Sequence, residues 1–115
     1  MRKEKFTSLS ALDCRRQRRK FSMISVYDFP TAKYAEKAGI NSLLVGDSLA
    51  MTVLGHQDTV SVTMEEMLHH VKAVSRASEN SMVVADMPFM SYQISTQQAV
   101  KNAGRFLKEG RADVV

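Results

Sequence analysis

Residues 22–48 read SMISVYDFPTAKYAEKAGINSLLVGDS, and the pattern of this stretch changes twice along its length. Residues 22–27 are a short apolar and β-branched run, which is typical of a strand. Residues 31–38 are predicted to be helical, because a proline precedes them where a helix begins and a glycine follows them as a cap. Residues 40–45 form a second apolar run, which a Gly-Asp-Ser turn ends. The stretch therefore predicts a strand, a helix and a second strand.

The rest of the chain repeats this alternation of helices and strands. Residues 63–66 (TMEE) and 95–98 (STQQ) are capping boxes, and apolar side chains at helical spacing follow each of them. Apolar runs at residues 81–85 and 112–115 predict a third and a fourth strand, whereas residues 49–62 lack a clean period and predict a long loop. The order βαβαβαβ indicates an α/β fold with a parallel sheet covered by helices. Because the chain ends as the fourth strand begins, we expect the domain to be incomplete.

The composition excludes several classes of protein. With 115 residues, 44% of them hydrophobic and 24% charged, the chain has room for one modest domain and is not disordered throughout. Cys14 is the single cysteine, which excludes an internal disulfide framework and a zinc finger and indicates a reducing compartment. No apolar run approaches the roughly 18 residues that a membrane-spanning helix needs. We therefore expect a cytoplasmic protein with no membrane partner.

The net charge of +4 is concentrated at the amino terminus. Residues 1–20 hold eight basic and two acidic side chains, whereas the rest of the chain holds eight basic and ten acidic ones. We interpret residues 1–20 as a basic leader that contains a short helix, and residues 21–115 as the domain. A basic arm can bind nucleic acid, but no aromatic side chain lies among residues 15–20 (RRQRRK), so a solvated connector is favoured. Organellar import is a minor alternative, because acidic residues interrupt the targeting pattern.

An aspartate follows each of the three complete strands: Asp28, Asp47 and Asp86. Ligands bind at the carboxyl ends of the strands in parallel α/β folds, so we expect these carboxylates at one edge of the sheet. Mg²⁺ prefers oxygen ligands and commonly combines one or two carboxylates with water or substrate oxygens. Each aspartate taken alone is better explained as a helix cap or a turn residue. The pattern therefore leaves a metal site and three caps as alternatives.

Several segments carry a resemblance to a known family. They are residues 26–33 (VYDFPTAK), 44–49 (LVGDSL), 53–56 (VLGH), 62–64 (VTM) and 84–92 (VADMPFMSY). In sequence, order and spacing they closely resemble the amino-terminal part of ketopantoate hydroxymethyltransferase. The likeness runs from about residue 21 to the end of the chain, which makes it far more specific than a single motif.

The resemblance implies a fold and a reaction. The fold is the amino-terminal half of a (β/α)₈ TIM barrel of the phosphoenolpyruvate/pyruvate type, preceded by a short helix and truncated at the start of its fourth strand. Enzymes of this family depend on Mg²⁺ and assemble as homo-oligomers. They transfer a one-carbon unit from 5,10-methylenetetrahydrofolate to 3-methyl-2-oxobutanoate, which gives 2-dehydropantoate for pantothenate and coenzyme A synthesis.

The resemblance also implies roles for individual residues. Asp47 and Asp86 are similar to two metal-associated carboxylates of the family, and Asp47, Ser48 and Asp86 are similar to contacts with the 2-oxo acid. Tyr27 and Asp28 fall on a family motif and are expected to line the site. The family's proposed base lies beyond the last residue of this chain, so no catalytic residue is assigned within it. We therefore expect the 115-residue chain alone to be inactive.

The sequence departs from the family pattern at two positions, and it leaves two other interpretations open. A turn similar to Ala-Gly-Ala-Asp is here Gly110-Arg111-Ala112-Asp113, which puts Arg111 where a positive φ is expected. Ala50 stands where a glycine is usual. The alternatives are a related metal-dependent C–C lyase or mutase of the same barrel superfamily, and a non-catalytic fragment with a basic interaction arm.

Overall fold

The computed structural model of the chain describes residues 4–115, so Arg2 and Lys3 of the basic leader lie outside the described residues. Three strands are present: β1 (Met23–Ser25), β2 (Ser42–Val45) and β3 (Met82–Ala85). The helices are α1 (Ser8–Arg16), α2 (Phe29–Lys37), α3 (Leu49–Thr52), α4 (Met64–Ala77) and α5 (Thr96–Lys108). From β1 onward, strands and helices alternate as the sequence predicts, except that both α3 and α4 lie between β2 and β3.

The strands form one parallel sheet in the order β1-β2-β3. Ser42 of β2 pairs with Met23 on one side and with Met82 on the other. The predicted fourth strand is present as a single parallel bridge between Val84 and Val114. This arrangement confirms the predicted α/β class with a parallel sheet, and it places the carboxyl ends of all strands at one edge.

Helices α2, α4 and α5 cover the sheet and form the core with it. Leu43 and Val45 of β2 and Val83 of β3 are at most 1% exposed, and Phe106 of α5 is fully buried. Burying a side chain of this size contributes about 1.5–3 kcal/mol to stability. By contrast, all three residues of β1 are exposed, so the core lies around β2 and β3.

The first capping box forms as predicted and the second forms only in part. In the first, the Thr63 hydroxyl accepts from the Glu66 N–H and the Glu66 carboxylate accepts from the Thr63 N–H. At the second, Ser95 caps the N–H of Gln98, but the Gln98 side chain accepts from the N–H of Ile94 instead. Its amide nitrogen also donates to the carbonyl of Met90, which draws the side chain away from the cap.

The segment predicted as a long loop begins with the short helix α3. Leu49 and Ala50 are fully buried, and the N–H groups of residues 49–52 bond back to carbonyls of residues 46–48. The prediction of a loop over residues 49–62 was therefore wrong for its first four residues. The side chains of Leu49 and Ala50 close the core at the end of β2.

The turn after α5 has the backbone that the sequence predicted. Arg111 adopts a φ of 61°, which confirms the positive φ expected there. Gly110 cannot carry a side chain, because a Cβ would lie 2.7 Å from the carbonyl oxygen of Phe106 and 2.9 Å from Cγ1 of Val71. Position 110 therefore requires glycine, and the residue in the left-handed conformation is the arginine that follows it.

The amino-terminal segment packs against the end of the sheet where the strands begin. The N–H of Phe6 donates to the carbonyl of Asn80, and Lys5 forms an ion pair of 2.8 Å with Asp113. The rings of Phe6 and Phe21 lie 5.1 Å apart, and Cys14 of α1 is buried. The basic run at residues 15–20 is exposed. Across residues 4–115, no helix is long and apolar enough to cross a membrane.

Candidate functional site

The predicted edge of the sheet brings Asp47 and Asp86 together. Val45 and Ala85 are paired across β2 and β3, and the N–H of Asp86 donates to the carbonyl of Val45. As a result, the N–H of Asp47 donates to Oδ2 of Asp86 over 3.0 Å. Two carboxylates 39 residues apart in sequence thus lie side by side because parallel strands end at the same edge.

The two carboxylates influence each other electrostatically. Burial and the negative charge of Asp86 raise the pKa of Asp47, and a hydrogen bond from the Thr59 hydroxyl opposes them only in part. Like charges placed together without a cation disfavour ionisation. A divalent cation between them would remove this penalty, and two carboxylates suit Mg²⁺ when water or substrate supplies the remaining oxygens. The donor set therefore fits that ion.

Ser48 lies beside the pair and is held by Tyr27. The Tyr27 hydroxyl and Oγ of Ser48 are 2.9 Å apart and share a hydrogen bond. Gly46 leaves room for this arrangement, because a Cβ there would lie 3.2 Å from Oγ of Ser48 and 3.4 Å from Oδ2 of Asp86. The β1 and β2 ends thus contribute a hydroxyl pair next to the two carboxylates.

Asp28 is used differently from the other two aspartates. Its Oδ1 accepts a 2.8 Å hydrogen bond from the N–H of Thr31, and it caps the start of α2. The hydrogen bonds from Thr31 lower the pKa of Asp28, in contrast to the raised pKa of Asp47. For this residue the structure shows the cap that the sequence pattern left as an alternative.

The structure adds two residues, His70 and Tyr92, that the sequence did not assign to the site. Nδ1 of His70, on α4, lies 2.8 Å from the carbonyl oxygen of Tyr27 and fixes the backbone that carries the phenol. Tyr92 lines a cleft of about 400 Å³ next to the carboxylates, and it ends the longest segment of the family resemblance. That segment was the available signal for Tyr92, whereas no local pattern pointed to His70.

The cleft opens directly onto the carboxylate pair. Its lining consists of Asp47, Ala85, Asp86, Met87, Tyr92 and Val115. Within the described residues, no group of three or more His, Cys, Asp or Glu side chains is placed to hold a metal ion. The edge of the sheet thus presents the carboxylates of Asp47 and Asp86 and the hydroxyls of Tyr27 and Ser48. The cleft beside the two carboxylates has space for a small ligand.

A model of the ketopantoate hydroxymethyltransferase family matches residues 5–115. The chain belongs to this family. It is 55% identical over 111 residues to a 3-methyl-2-oxobutanoate hydroxymethyltransferase of Enterococcus faecalis, covering 96% of this chain and 40% of the relative. It is 60% identical over 112 residues to the enzyme of the same name from Carboxydothermus hydrogenoformans, covering 97% and 41%. This member of the family thus spans about 40% of the length of these relatives.

Solved structures confirm the fold of this family member. An oxaloacetate acetylhydrolase superimposes with a TM-score of 0.66 at 18% identity, over 93% of this chain and 38% of that one. A 2,3-dimethylmalate lyase of the PEP mutase/isocitrate lyase superfamily gives 0.62 at 23% identity, over 79% and 32%. The chain therefore has the predicted architecture, the amino-terminal part of a (β/α)₈ barrel.

Proposed function

We propose that the chain supplies part of the active site of a hydroxymethyltransferase. The reaction transfers a one-carbon unit from 5,10-methylenetetrahydrofolate to 3-methyl-2-oxobutanoate and gives 2-dehydropantoate, a precursor in pantothenate synthesis. The observation that carries the proposal is the contact between Asp47 and Asp86 at the strand ends, in a chain that belongs to the family. The proposed enzyme is cytoplasmic and works as a homo-oligomer.

In this proposal Asp47 and Asp86 hold Mg²⁺. When bound, the cation stabilises negative charge on the ketone oxygen of the 2-oxo acid while a proton leaves the neighbouring carbon. The raised pKa of Asp47 supports the assignment, because the carboxylate is ionised at a cost that a cation would offset. The two side chains also orient the bound acid, since both flank the cleft of about 400 Å³.

Ser48 and Tyr27 bind and orient the carboxylate end of the substrate. The Tyr27 hydroxyl and Oγ of Ser48 share a hydrogen bond in which either oxygen can donate. In this proposal Tyr27 is the donor, which leaves the Ser48 proton to donate to a substrate oxygen. His70 holds the Tyr27 carbonyl and so acts as a positioning residue for this pair. Asp28 lies at the same edge of the sheet, where its carboxylate caps the start of α2. No residue of this chain is assigned the abstraction of the substrate proton.

A chimera tests the proposal directly. Residues 5–115 replace the matching residues of the Enterococcus faecalis relative, and 2-dehydropantoate formation is measured by mass spectrometry. We expect turnover in the chimera and none in the 115-residue chain alone. Asp47→Asn and Asp86→Asn should each lower turnover by at least about 100-fold, because the loss of an outer-shell partner of a metal ligand alone can cost that much.

Asp58→Asn is the matched control for these variants. Asp58 accepts from the N–H of Val60 in the loop, and an asparagine oxygen can accept the same bond, so turnover should stay within about 2-fold. A chimera that folds but consumes neither substrate would contradict the proposed reaction and favour a lyase or mutase. Equal activity of the Asp47→Asn chimera and its parent would contradict the site.

A further inference from the structure

A second cleft lies between α4 and the turn that follows α5. Its volume is about 440 Å³. We call it the α4–α5 cleft; it is lined by Lys72, Ser75, Arg76, Glu109, Gly110 and Arg111. Because helices run back from the carboxyl ends of the strands, the end of α4 and the turn after α5 lie far from the Asp47–Asp86 edge. The α4–α5 cleft is therefore distinct from the proposed active site.

The α4–α5 cleft carries an excess of positive charge. Lys72, Arg76 and Arg111 line it, and among residues 4–115 none of the three lies in an ion pair. The one acidic side chain of the lining, Glu109, is held by Arg105, whose Nε lies 2.7 Å from Oε2. Three cations thus face a space in which the only carboxylate already has a partner.

Ser75 adds an unpartnered hydroxyl to the lining. Its Oγ is buried and forms no hydrogen bond with any described residue. Buried polar atoms are nearly always hydrogen-bonded, so an atom without a partner needs an explanation. The three cations of the lining favour an anion with several oxygens as the ligand.

Arg111 reaches the α4–α5 cleft from an unfavourable backbone. Its φ of 61° lies in the left-handed region, which is costly for a side chain with a Cβ. Close packing of Gly110 on Val71 and Phe106 leaves this conformation to the arginine. Strain of this kind is often found at sites where a side chain has a function. A guanidinium beside a second guanidinium and an ammonium is well suited to phosphate oxygens.

We propose that the α4–α5 cleft binds a small anion that carries phosphoryl groups. The ligand accepts hydrogen bonds from Arg76 and Arg111, and Lys72 balances its charge. The space of about 440 Å³ is sufficient for a diphosphate. The proposal does not depend on the proposed transferase activity, because it uses none of the residues at the Asp47–Asp86 edge.

Calorimetric titration of the 115-residue chain with inorganic pyrophosphate, at constant ionic strength, tests the proposal. We expect saturable binding that is tighter than binding of inorganic phosphate. Arg111→Gly should weaken pyrophosphate binding by about 10-fold, the effect of losing one charge-assisted hydrogen bond. The same variant should raise the midpoint of urea unfolding, because glycine adopts a positive φ without strain. A structural disturbance would lower both the pyrophosphate affinity and the urea midpoint. A lower affinity together with a higher midpoint therefore identifies Arg111 as a ligand-binding residue.

Lys101→Ala, on the exposed surface of α5 and outside the lining, is the matched control and should leave binding unchanged. Asp47→Asn should also leave pyrophosphate binding unchanged, which separates this proposal from the transferase. Unchanged affinity in both Arg111→Gly and Arg76→Ala would overturn the site, as would the absence of saturable binding. Binding of an RNA oligonucleotide without binding of pyrophosphate would likewise overturn it. The same titrations in the chimera cover the case of a chain that does not fold alone.

Discussion

The pKa values of carboxylates are shifted in opposite directions at the two ends of the sheet. Where the strands begin, the Glu36 side chain accepts from the N–H groups of residues 79, 80 and 81 over 2.5–2.8 Å, and from the Ser78 hydroxyl over 3.3 Å. Nearby, Asp113 accepts from the N–H of Val83 and pairs with Lys5. Burial raises the pKa of Glu36, but these hydrogen bonds outweigh it and leave the pKa lowered.

Where the strands end, the carboxylates have fewer donors and repel each other. Asp86 accepts from one backbone N–H, that of Asp47, and burial together with the charge of Asp86 raises the pKa of Asp47. In barrels of this kind the carboxyl edge carries function and the opposite edge carries stability. The comparison therefore indicates that Glu36 stabilises the fold, and it agrees with the proposal that Asp47 holds a ligand at some cost to the fold.

The largest effect on stability is expected at Glu36. Glu36→Ala should lower the free energy of unfolding by about 2 kcal/mol, since it removes the acceptor for three backbone N–H groups in a half-buried site. Urea unfolding followed by circular dichroism measures the change. Lys37→Ala, exposed on the same helix, should change the free energy by about 0.5 kcal/mol or less.

The pH dependence gives this prediction a second readout. The pKa of Glu36 is lowered below its ordinary value of 4.5, so its stabilising contribution is present above that pH. The contribution is lost as the pH falls through the folded-state pKa. The difference between the parent and Glu36→Gln should therefore shrink in acid. A difference that stays constant with pH would show that the side chain acts through packing and not through its charge.

Most of the fold could be predicted from local sequence patterns, whereas the contacts of Glu36 could not. Capping signals and apolar spacing predict α4 and α5, and strand-end positions predict that Asp47 and Asp86 meet. Glu36 looks like an ordinary solvent-facing residue of a helix, because its partners lie 42 to 45 residues later in the chain. Helix α3 was missed for a related reason, since four residues are too few to show a period.

The second-largest effect on stability is expected at Asp28. Like Asp47, this residue follows a strand, but its carboxylate is hydrogen-bonded as the cap of a helix. Asp28→Ala should lower the free energy of unfolding by about 1 kcal/mol, because the first turn of α2 loses its cap. Asp28→Asn should restore most of that loss, since asparagine caps as well as aspartate. Urea unfolding of both variants measures the effect. Equal losses would mean that the charge of Asp28, and not its hydrogen bond to Thr31, matters.

The smallest effect, opposite in sign, is expected from Asp47→Asn in the absence of a metal ion. The folded-state pKa of Asp47 is raised above 3.8, so the ionised side chain disfavours folding at every pH above that raised value. Asparagine removes the charge while the backbone N–H of residue 47 can still donate to Asp86. The variant should therefore be more stable than the parent near about pH 7, by on the order of 0.5 kcal/mol for a partly screened pair.

The gain from Asp47→Asn should shrink as the pH falls through the raised folded-state pKa and disappear below 3.8, because Asp47 is then protonated in both the folded and the unfolded parent. Urea unfolding at a series of pH values measures this difference, with Asp58→Asn as the control. A gain that persists in acid would contradict the electrostatic cause. A loss of stability at neutral pH would instead place Asp47 with Glu36 among the carboxylates that hold the fold. A gain at neutral pH combined with loss of turnover in the chimera would mean that this edge of the sheet keeps a destabilising charge for the sake of its ligand.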